Sequence, residues 1–474
     1  MSFCSQSFLV FVVVVLAAYW SIASTRIRTI LLVVASFWFY ASWNVRLAAI
    51  VLGWSTLDFA LGLALDAPHR GRAKRGVLIG GIVLNLGLLG YFKYTGFLID
   101  SIAGALAAIG LERSFATASV LAPIGISFFT FEAINYLVDV HKGKIRAERN
   151  IFSFLLFISF FPHLIAGPIV RAGDFIPQIG RYKRRDWSRI RLGCEIFLIG
   201  LFKKLAIADR MATFADPAFA SPDRFGSKAL WIAAIAYAVQ IYCDFSGYTD
   251  MAIGCAHLFG FKLKPNFNAP YASLSIAEFW RRWHISLSTW LRDYLFIPLG
   301  GSRGSFFKTA RNLTITMTLG GLWHGASWTF VVWGVVHGLL LVAHRGVRAF
   351  RSRFVGIDRA FASLPGIVLC WLLTILTLTI TWIPFRAPSF SNAIGFLGGM
   401  FVPRAGRGVP LPVDRFAILL AFVLIEHAFR VWKPRRATVD RIPAAAVGFG
   451  YAALLSIALL LAPSETKAFI YFQF

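Results

Sequence analysis

The chain has 474 residues, of which 58% are hydrophobic, 16% aromatic and only 15% charged, and its mean hydropathy is +0.68. That composition excludes an ordinary soluble domain, and the absence of any long polar stretch makes a single membrane domain over residues 1–474 the simplest organisation. The formal charge of +26 would suggest nucleic acid in a soluble chain, but the basic residues cluster between apolar runs, at Arg70–Arg75, Lys142–Arg149, Arg181–Arg191, Arg345–Arg353 and Arg430–Arg441. This is the pattern of cytoplasmic loops held against anionic membrane lipid, and no nucleic-acid partner is expected.

The first apolar run, Phe8–Trp20, has no basic segment before it and is followed by Arg26 and Arg28, which predicts a retained helix with the N-terminus outside. Ile30–Ser42, Leu47–Leu65, Gly76–Phe92 and Ile151–Val170 continue the series, and Arg171–Arg191 is too rich in Arg and Lys to cross the bilayer, so it should lie along the membrane surface. After the run Leu230–Tyr242, the stretch Lys262–Ser275 carries Pro265 and Pro270 with Asn266, Asn268 and Tyr271 and reads as a connection. Ile276–Leu299 is mixed: Glu278, Arg281, Arg282, His284, Arg292 and Asp293 alternate with aromatic and aliphatic residues, which suits a protein-lined cavity at the membrane interface.

Gly320, Gly321 and Gly325 bracket Leu322-Trp323-His324, so close helix approach or local unwinding is expected there. Leu364–Trp382, Phe416–Ala428 and Ala444–Ala462 complete the apolar runs. Several fall short of the ~20 residues a straight span needs. The fold class is therefore an all-α, polytopic integral membrane protein of roughly ten to thirteen membrane helices, some short, tilted or re-entrant, around a central cavity.

Five cysteines with no Cys-x-x-Cys pattern read as small apolar fillers, and no His-Glu-x-x-His motif, nucleophile elbow or phosphate-binding loop is present, so no metal site and no bound cofactor are expected. Of nine histidines, His69 lies in a basic loop, and His141, His344 and His427 sit beside charged residues near the ends of apolar runs. His163 and His257 read as core imidazoles satisfied by neighbours. His324, between Trp323 and Trp328, and His284, forty positions earlier, are open to two readings: helix-packing residues, or a pair converging on one site. A neutral imidazole in a dry cavity can take the proton of an attacking hydroxyl and return it to a leaving group, which fits acyl transfer from a thioester to an alcohol. Transporters also bury His and Arg, so these residues alone leave an enzyme and a transporter or flippase of an acylated carrier equally open.

Six blocks carry a resemblance: Gly125–Glu132 (GISFFTFE), Phe160–Ile169 (FFPHLIAGPI), Asp244–Gly254 (DFSGYTDMAIG), Asn266–Tyr271, Phe279–Gly300 and Leu319–Gly338. In order and register from about 125 to 338, they resemble the membrane-bound O-acyltransferase family, and within it the bacterial alginate O-acetyltransferase branch. The resemblance implies that His324 is the catalytic histidine and that His284 is the second polar position, His in this branch and Asn or Asp in others. It places His337, Trp323 and Asp244 as orienting or cavity-lining groups. Were the segment one unbroken helix, thirteen residues at about 100° each would set His337 roughly 140° from His324. Arg281 and Arg282 would bind donor phosphates or anchor the interface. Asp244 and Asp250 should each need a buried cation, with Arg281, Arg282 or Arg292 as the expected partners.

The same resemblance implies a multi-pass inner-membrane enzyme that takes acetyl from acetyl-CoA and delivers it across the bilayer for O-acetylation of an exported polysaccharide. A periplasmic, esterase-like transferase is the expected protein partner. Peptidoglycan, cellulose or another glycan is an alternative acceptor.

Overall fold

The computed structural model describes residues 1–67, 71–111, 122–164, 167–409, 413–432, 443–462 and 469–470. His69, Arg70 and most of the Arg430–Arg441 cluster, together with Ile165 and Ala166 of the Phe160–Ile169 block, lie outside them. Among the described residues the regular structure is helical apart from one isolated bridge between Phe225 and Arg407, as the apolar periodicity requires. The contacts fall into two compact units, Met1–Phe197 with Met251–Lys264, and Leu198–Asp250 with Pro265–Phe474.

In the first unit α1 (Gln6–Ser21), α2 (Thr25–Ala41) and α3 (Val45–Asp66) each start at a polar residue that closes an orphan backbone donor. Ser5 accepts from the Phe8 N–H, Ser24 from Ile27 and Asn44 from Leu47, the local chemistry that ends one apolar run and begins the next. α4 (Arg72–Leu89) passes through a π-helical turn at Gly90–Tyr94 into α5 (Thr95–Ala108), and α6 (Ile126–His141), α7 (Ile151–Ser159) and the single turn α8 (Phe161–Leu164) follow. The basic stretch after them folds as α9 (Ala172–Ile179) and an irregular connection before α10 (Trp187–Phe202). There Arg28 donates to the Lys183 carbonyl (2.7 Å) and Arg189 to that of Gly260 (2.8 Å).

This unit buries Phe8, Phe39 and Phe161 against one another, while Val10, Val13 and Val14 of α1 stay exposed. Apolar side chains left out of the protein core in this number are lipid-facing surface. Several of its buried polar groups are paired: Asn85 donates to Asp58 (2.7 Å), and Glu132 accepts from the Val170 N–H (2.8 Å) beside His163, whose Nδ1 lies 3.4 Å from the same carboxylate oxygen. His163 is thus a core imidazole, and its neighbour is an acid rather than the apolar surroundings its sequence suggested.

The second unit takes in the end of α10, a π-helical turn at Lys203–Ala208, α11 (Asp209–Ala220) and most of α12 (Ser227–Leu258). Two short helices, α13 (Ile276–Arg282) and α14 (Ile285–Leu291), precede the hairpin of α15 (Phe306–His324) and α16 (Trp328–Arg351). α17 (Val355–Ala362), α18 (Leu364–Arg386), α19 (Phe390–Phe401), α20 (Val413–Trp432) and a last helix at Ala444–Leu461 complete it.

The chain is a membrane protein. Among the described residues five helices are long and apolar enough to cross a bilayer: α3, α4 with α5, α12, α16 and α18. Four shorter apolar helices accompany them. Other elements of the expected polytopic fold are short or partly polar: α2 and α6 stop at 17 and 16 residues, and α15 carries Lys308, Arg311 and Asn312 in its first half.

Candidate active site

α15 ends at His324, Gly325 is extended, and Ser327 caps α16 by accepting from the Thr329 N–H. The helix is therefore broken between His324 and His337, and the 140° separation calculated for an unbroken helix does not apply. The chain reverses instead, and the two histidines flank one ring: Trp333 lies 5.4 Å from His324 and 4.6 Å from His337, centroid to centroid. Glycine permits the hairpin. A Cβ at Gly321 would strike the Phe330 carbonyl and the backbone of Gly334, and one at Gly334 would strike the carbonyl of Met317. Small residues at both positions let α15 and α16 meet backbone to backbone.

His324 is 3% exposed, enclosed by Trp323 (5.0 Å), Trp333 and Phe385 (5.3 Å). Nδ1 of His337 accepts from the Trp280 indole N–H at 3.3 Å, which fixes its proton on Nε2, a buried atom with no hydrogen-bond partner. His324 and His337 thus flank Trp333 in one aromatic cage.

His284 joins α13 to α14 and is fully buried, with a left-handed backbone at φ +43°. A non-glycine residue held there stores about 1–3 kcal/mol of strain unless its surroundings hold it. They do so through the connection that reads as Pro- and Asn-rich in the sequence. The Asn268 N–H donates to the Arg282 carbonyl (3.0 Å), the Ile285 N–H to the Asn266 carbonyl (2.9 Å), and the Ser286 N–H to the Asn266 side chain (3.1 Å). Two asparagines two positions apart therefore strap the backbone on either side of His284, a role that their sequence position alone did not reveal.

The His284 ring packs against Phe245 (4.7 Å) and Trp323 (5.7 Å), and lies 6.3 Å from His324. Neither of its ring nitrogens has a hydrogen-bond partner, and burial pushes its pKa down to about 3. A fully buried imidazole with neither nitrogen bonded to the protein is costly in a dry core.

The six blocks meet their family here. The sequence signature of MBOAT, the membrane-bound O-acyltransferase family, matches residues 125–382, more than half of the chain. The chain belongs to the membrane-bound O-acyltransferase family. Among its relatives are a probable alginate O-acetylase of Pseudomonas aeruginosa, 43% identical over 404 residues (85% of this chain, 75% of that one), and a second from Pseudomonas putida, 38% identical over the whole of both chains. A peptidoglycan O-acetyltransferase of Helicobacter pylori is 38% identical over 377 residues, 74% of this chain and 69% of its own. As a member of this family the chain is an O-acyltransferase.

Within this O-acyltransferase the remaining predicted groups are placed as follows. Asp244 and Asp250 do not pair with Arg281, Arg282 or Arg292, as the sequence led us to expect. Their partners are Lys203 and Lys204 of the π-helical turn: Lys204 bridges Asp244 (2.6 Å) and Asp209 (2.8 Å), and Lys203 bridges Asp250 (2.9 Å) and Glu426 (3.0 Å). Glu426 also accepts from the Tyr242 hydroxyl at 2.9 Å, and Asp244 accepts from the Ile470 N–H at 2.7 Å. Burial alone would lower both ammonium groups, but the facing carboxylates outweigh it and hold them charged. The signal was legible: two adjacent lysines within Leu201-Phe202-Lys203-Lys204-Leu205 need acids if they are buried.

Arg282 pairs with Glu278 one turn earlier (2.8 Å) and Arg292 with Asp293 (2.7 Å). Arg281 instead lines an open cleft with His344 of α16. His427 sits in the core beside Glu426 (3.0 Å), with its Nδ1 2.9 Å from the Val423 carbonyl oxygen. Among the described residues no cluster of three or more His, Cys, Asp or Glu could hold a metal ion.

Proposed function

We propose that this O-acyltransferase moves an acetyl group from acetyl-CoA, taken from the cytoplasmic side of the inner membrane, into O-acetylation of an exported polysaccharide. The observation that carries the reading is His284: fully buried, both ring nitrogens unsatisfied, 6.3 Å from His324 in an aromatic cage. His324 acts as general base. It removes the proton from the acceptor hydroxyl as that oxygen attacks the thioester carbonyl, and it returns the proton to the departing thiolate as the carbon–sulfur bond breaks. His284, neutral at working pH, binds or orients the thioester through a ring N–H. Trp323 and His337 shape the cage around them, Asp244 fixes α12 behind Phe245, and Arg281 is the arginine left to meet donor phosphates.

The alginate O-acetylase names among the relatives support alginate or a similar uronic-acid polymer as the final acceptor. The Helicobacter pylori relative supports peptidoglycan as the second reading. In either case an extracytoplasmic, esterase-like transferase is the proposed partner that receives the acyl group. The test is purified protein with acetyl-labelled acetyl-CoA and partner. Release of free CoA with label transferred to the acceptor is expected, whereas movement of intact donor without CoA release would indicate a transporter.

A further inference from the structure

Seven residues beyond His337 on α16, close to two full turns and about 10 Å along the same face, lies His344. Arg348 and Arg351 follow it at positions i+4 and i+7, so one stripe carries the histidine and two arginines. Arg281, next to the Trp280 that donates to His337, approaches this stripe from α13. Together with Ser275 these side chains line a cleft of about 420 Å³.

The charges in this cleft are unbalanced. Its only acid is Asp358, which Arg351 meets at 3.0 Å. Among the described residues Arg281 and Arg348 have no carboxylate partner, and Nε of Arg351 is buried without a hydrogen bond. Cations stacked at helical spacing repel each other and weaken the helix unless an anion draws them together. Guanidinium groups suit phosphate, because their planar fork donates two parallel hydrogen bonds to a pair of its oxygens. Phe361 lies 4.1 Å beneath the Arg351 guanidinium and holds it in place, as a preorganised binding group requires.

We propose that this cleft is a phosphate-binding site, two helical turns from the histidine cage, for a ligand bearing a phosphate as a monoester, diester or diphosphate. Two molecules carry that chemistry: the nucleotide end of the acyl donor and the headgroup of an anionic phospholipid. Only the first source rests on the proposed acyl transfer.

The test uses full-length His324→Ala protein, so that failure of the proposed base leaves binding readable. Adenosine 3′,5′-bisphosphate, which carries CoA-type phosphates but no thioester, is titrated by calorimetry in neutral detergent. In parallel, nanodiscs containing phosphatidylglycerol are assayed for lipid phosphorus retained after purification. Binding of the bisphosphate, weakened at least tenfold by Arg281→Gln or Arg348→Gln and unchanged by Arg345→Gln on another face of the helix, assigns the site to the donor. Retention of phosphatidylglycerol lost in those two variants, without bisphosphate binding, assigns it to lipid and still supports a phosphate site. If neither ligand responds to the Arg281 and Arg348 substitutions, the proposal is overturned.

Discussion

The rings of His284 and His324 lie 6.3 Å apart at an interplanar angle of 58°, and no hydrogen bond of His284 joins them. At that separation the two buried imidazoles pack as neighbours in one aromatic cage, close enough to act on the same group. The backbone at His284 is as informative as the ring, since φ is +43°.

The left-handed region is several-fold enriched in Asn and Asp, which bond to local backbone there. His284→Asn should therefore fold like the wild type and keep part of the activity, because an amide still hydrogen-bonds a substrate. His284→Ala retains the strain, loses the ring, and should cost roughly 2–4 kcal/mol as a cavity in the core. Thermal unfolding in detergent, with acetylation at matched expression, checks both, and an alanine variant as stable and active as the asparagine one would contradict the argument.

The same residue predicts a pH dependence. Its pKa is about 3 in the folded protein and about 6.5 when unfolded. Below pH 6.5 the unfolded chain binds a proton that the folded one refuses, so the stabilising contribution present above 6.5 is lost as the pH falls toward 3. Between pH 7.5 and 4.5 the melting temperature of the wild type should fall more steeply than that of His284→Asn. Parallel curves would show that the imidazole is not held neutral.

Much of this was legible in the sequence, and the reasons differ by residue. The break at the end of α15 was visible as an expected close approach or local unwinding, because Gly320, Gly321 and Gly325 bracket Leu322-Trp323-His324. The partners of Asp244 and Asp250 were only half legible. Lys203-Lys204 announces a need for acids, but the arginines and the lysines lie at similar sequence distances from the two aspartates, and only the packed helices choose between them. The strap at Asn266 and Asn268 was hidden for a related reason: backbone hydrogen bonds from a connection to the residues around His284 have no side-chain periodicity to announce them.

That lysine network yields a contrast. Asp244→Asn removes a charge facing buried Lys204, and the cost should fall near the low end of the roughly 3–5 kcal/mol typical of a broken buried pair, because Asp209 remains. Arg292→Gln breaks only a surface pair with Asp293 and should change stability by less than about 1 kcal/mol. Chemical denaturation of both variants separates this account from the arginine pairing that the sequence suggested, which would reverse the order.

The close approach of α15 and α16 predicts the effect of bulk. Gly321→Val places a side chain against the Phe330 carbonyl and should cost about 1–3 kcal/mol by overpacking while moving His324 in its cage. Gly346→Ala, further along α16 with nothing near its missing Cβ, should be stabilising by up to about 1 kcal/mol, because alanine is the better helix former. Melting temperatures of the two variants test the point, and a stable, fully active valine variant would show that the hairpin has slack.

The central claim is that His324 moves the proton. The direct measurement is the acetyl content of the exported polymer from cells carrying wild-type, His324→Ala or His69→Ala protein at matched membrane levels. Proton transfer contributes roughly 10²–10⁴-fold to such reactions, so His324→Ala should leave acetylation at background while His69→Ala, in a basic loop of the sequence, stays near wild type. Substantial acetylation by the His324→Ala protein would contradict the account.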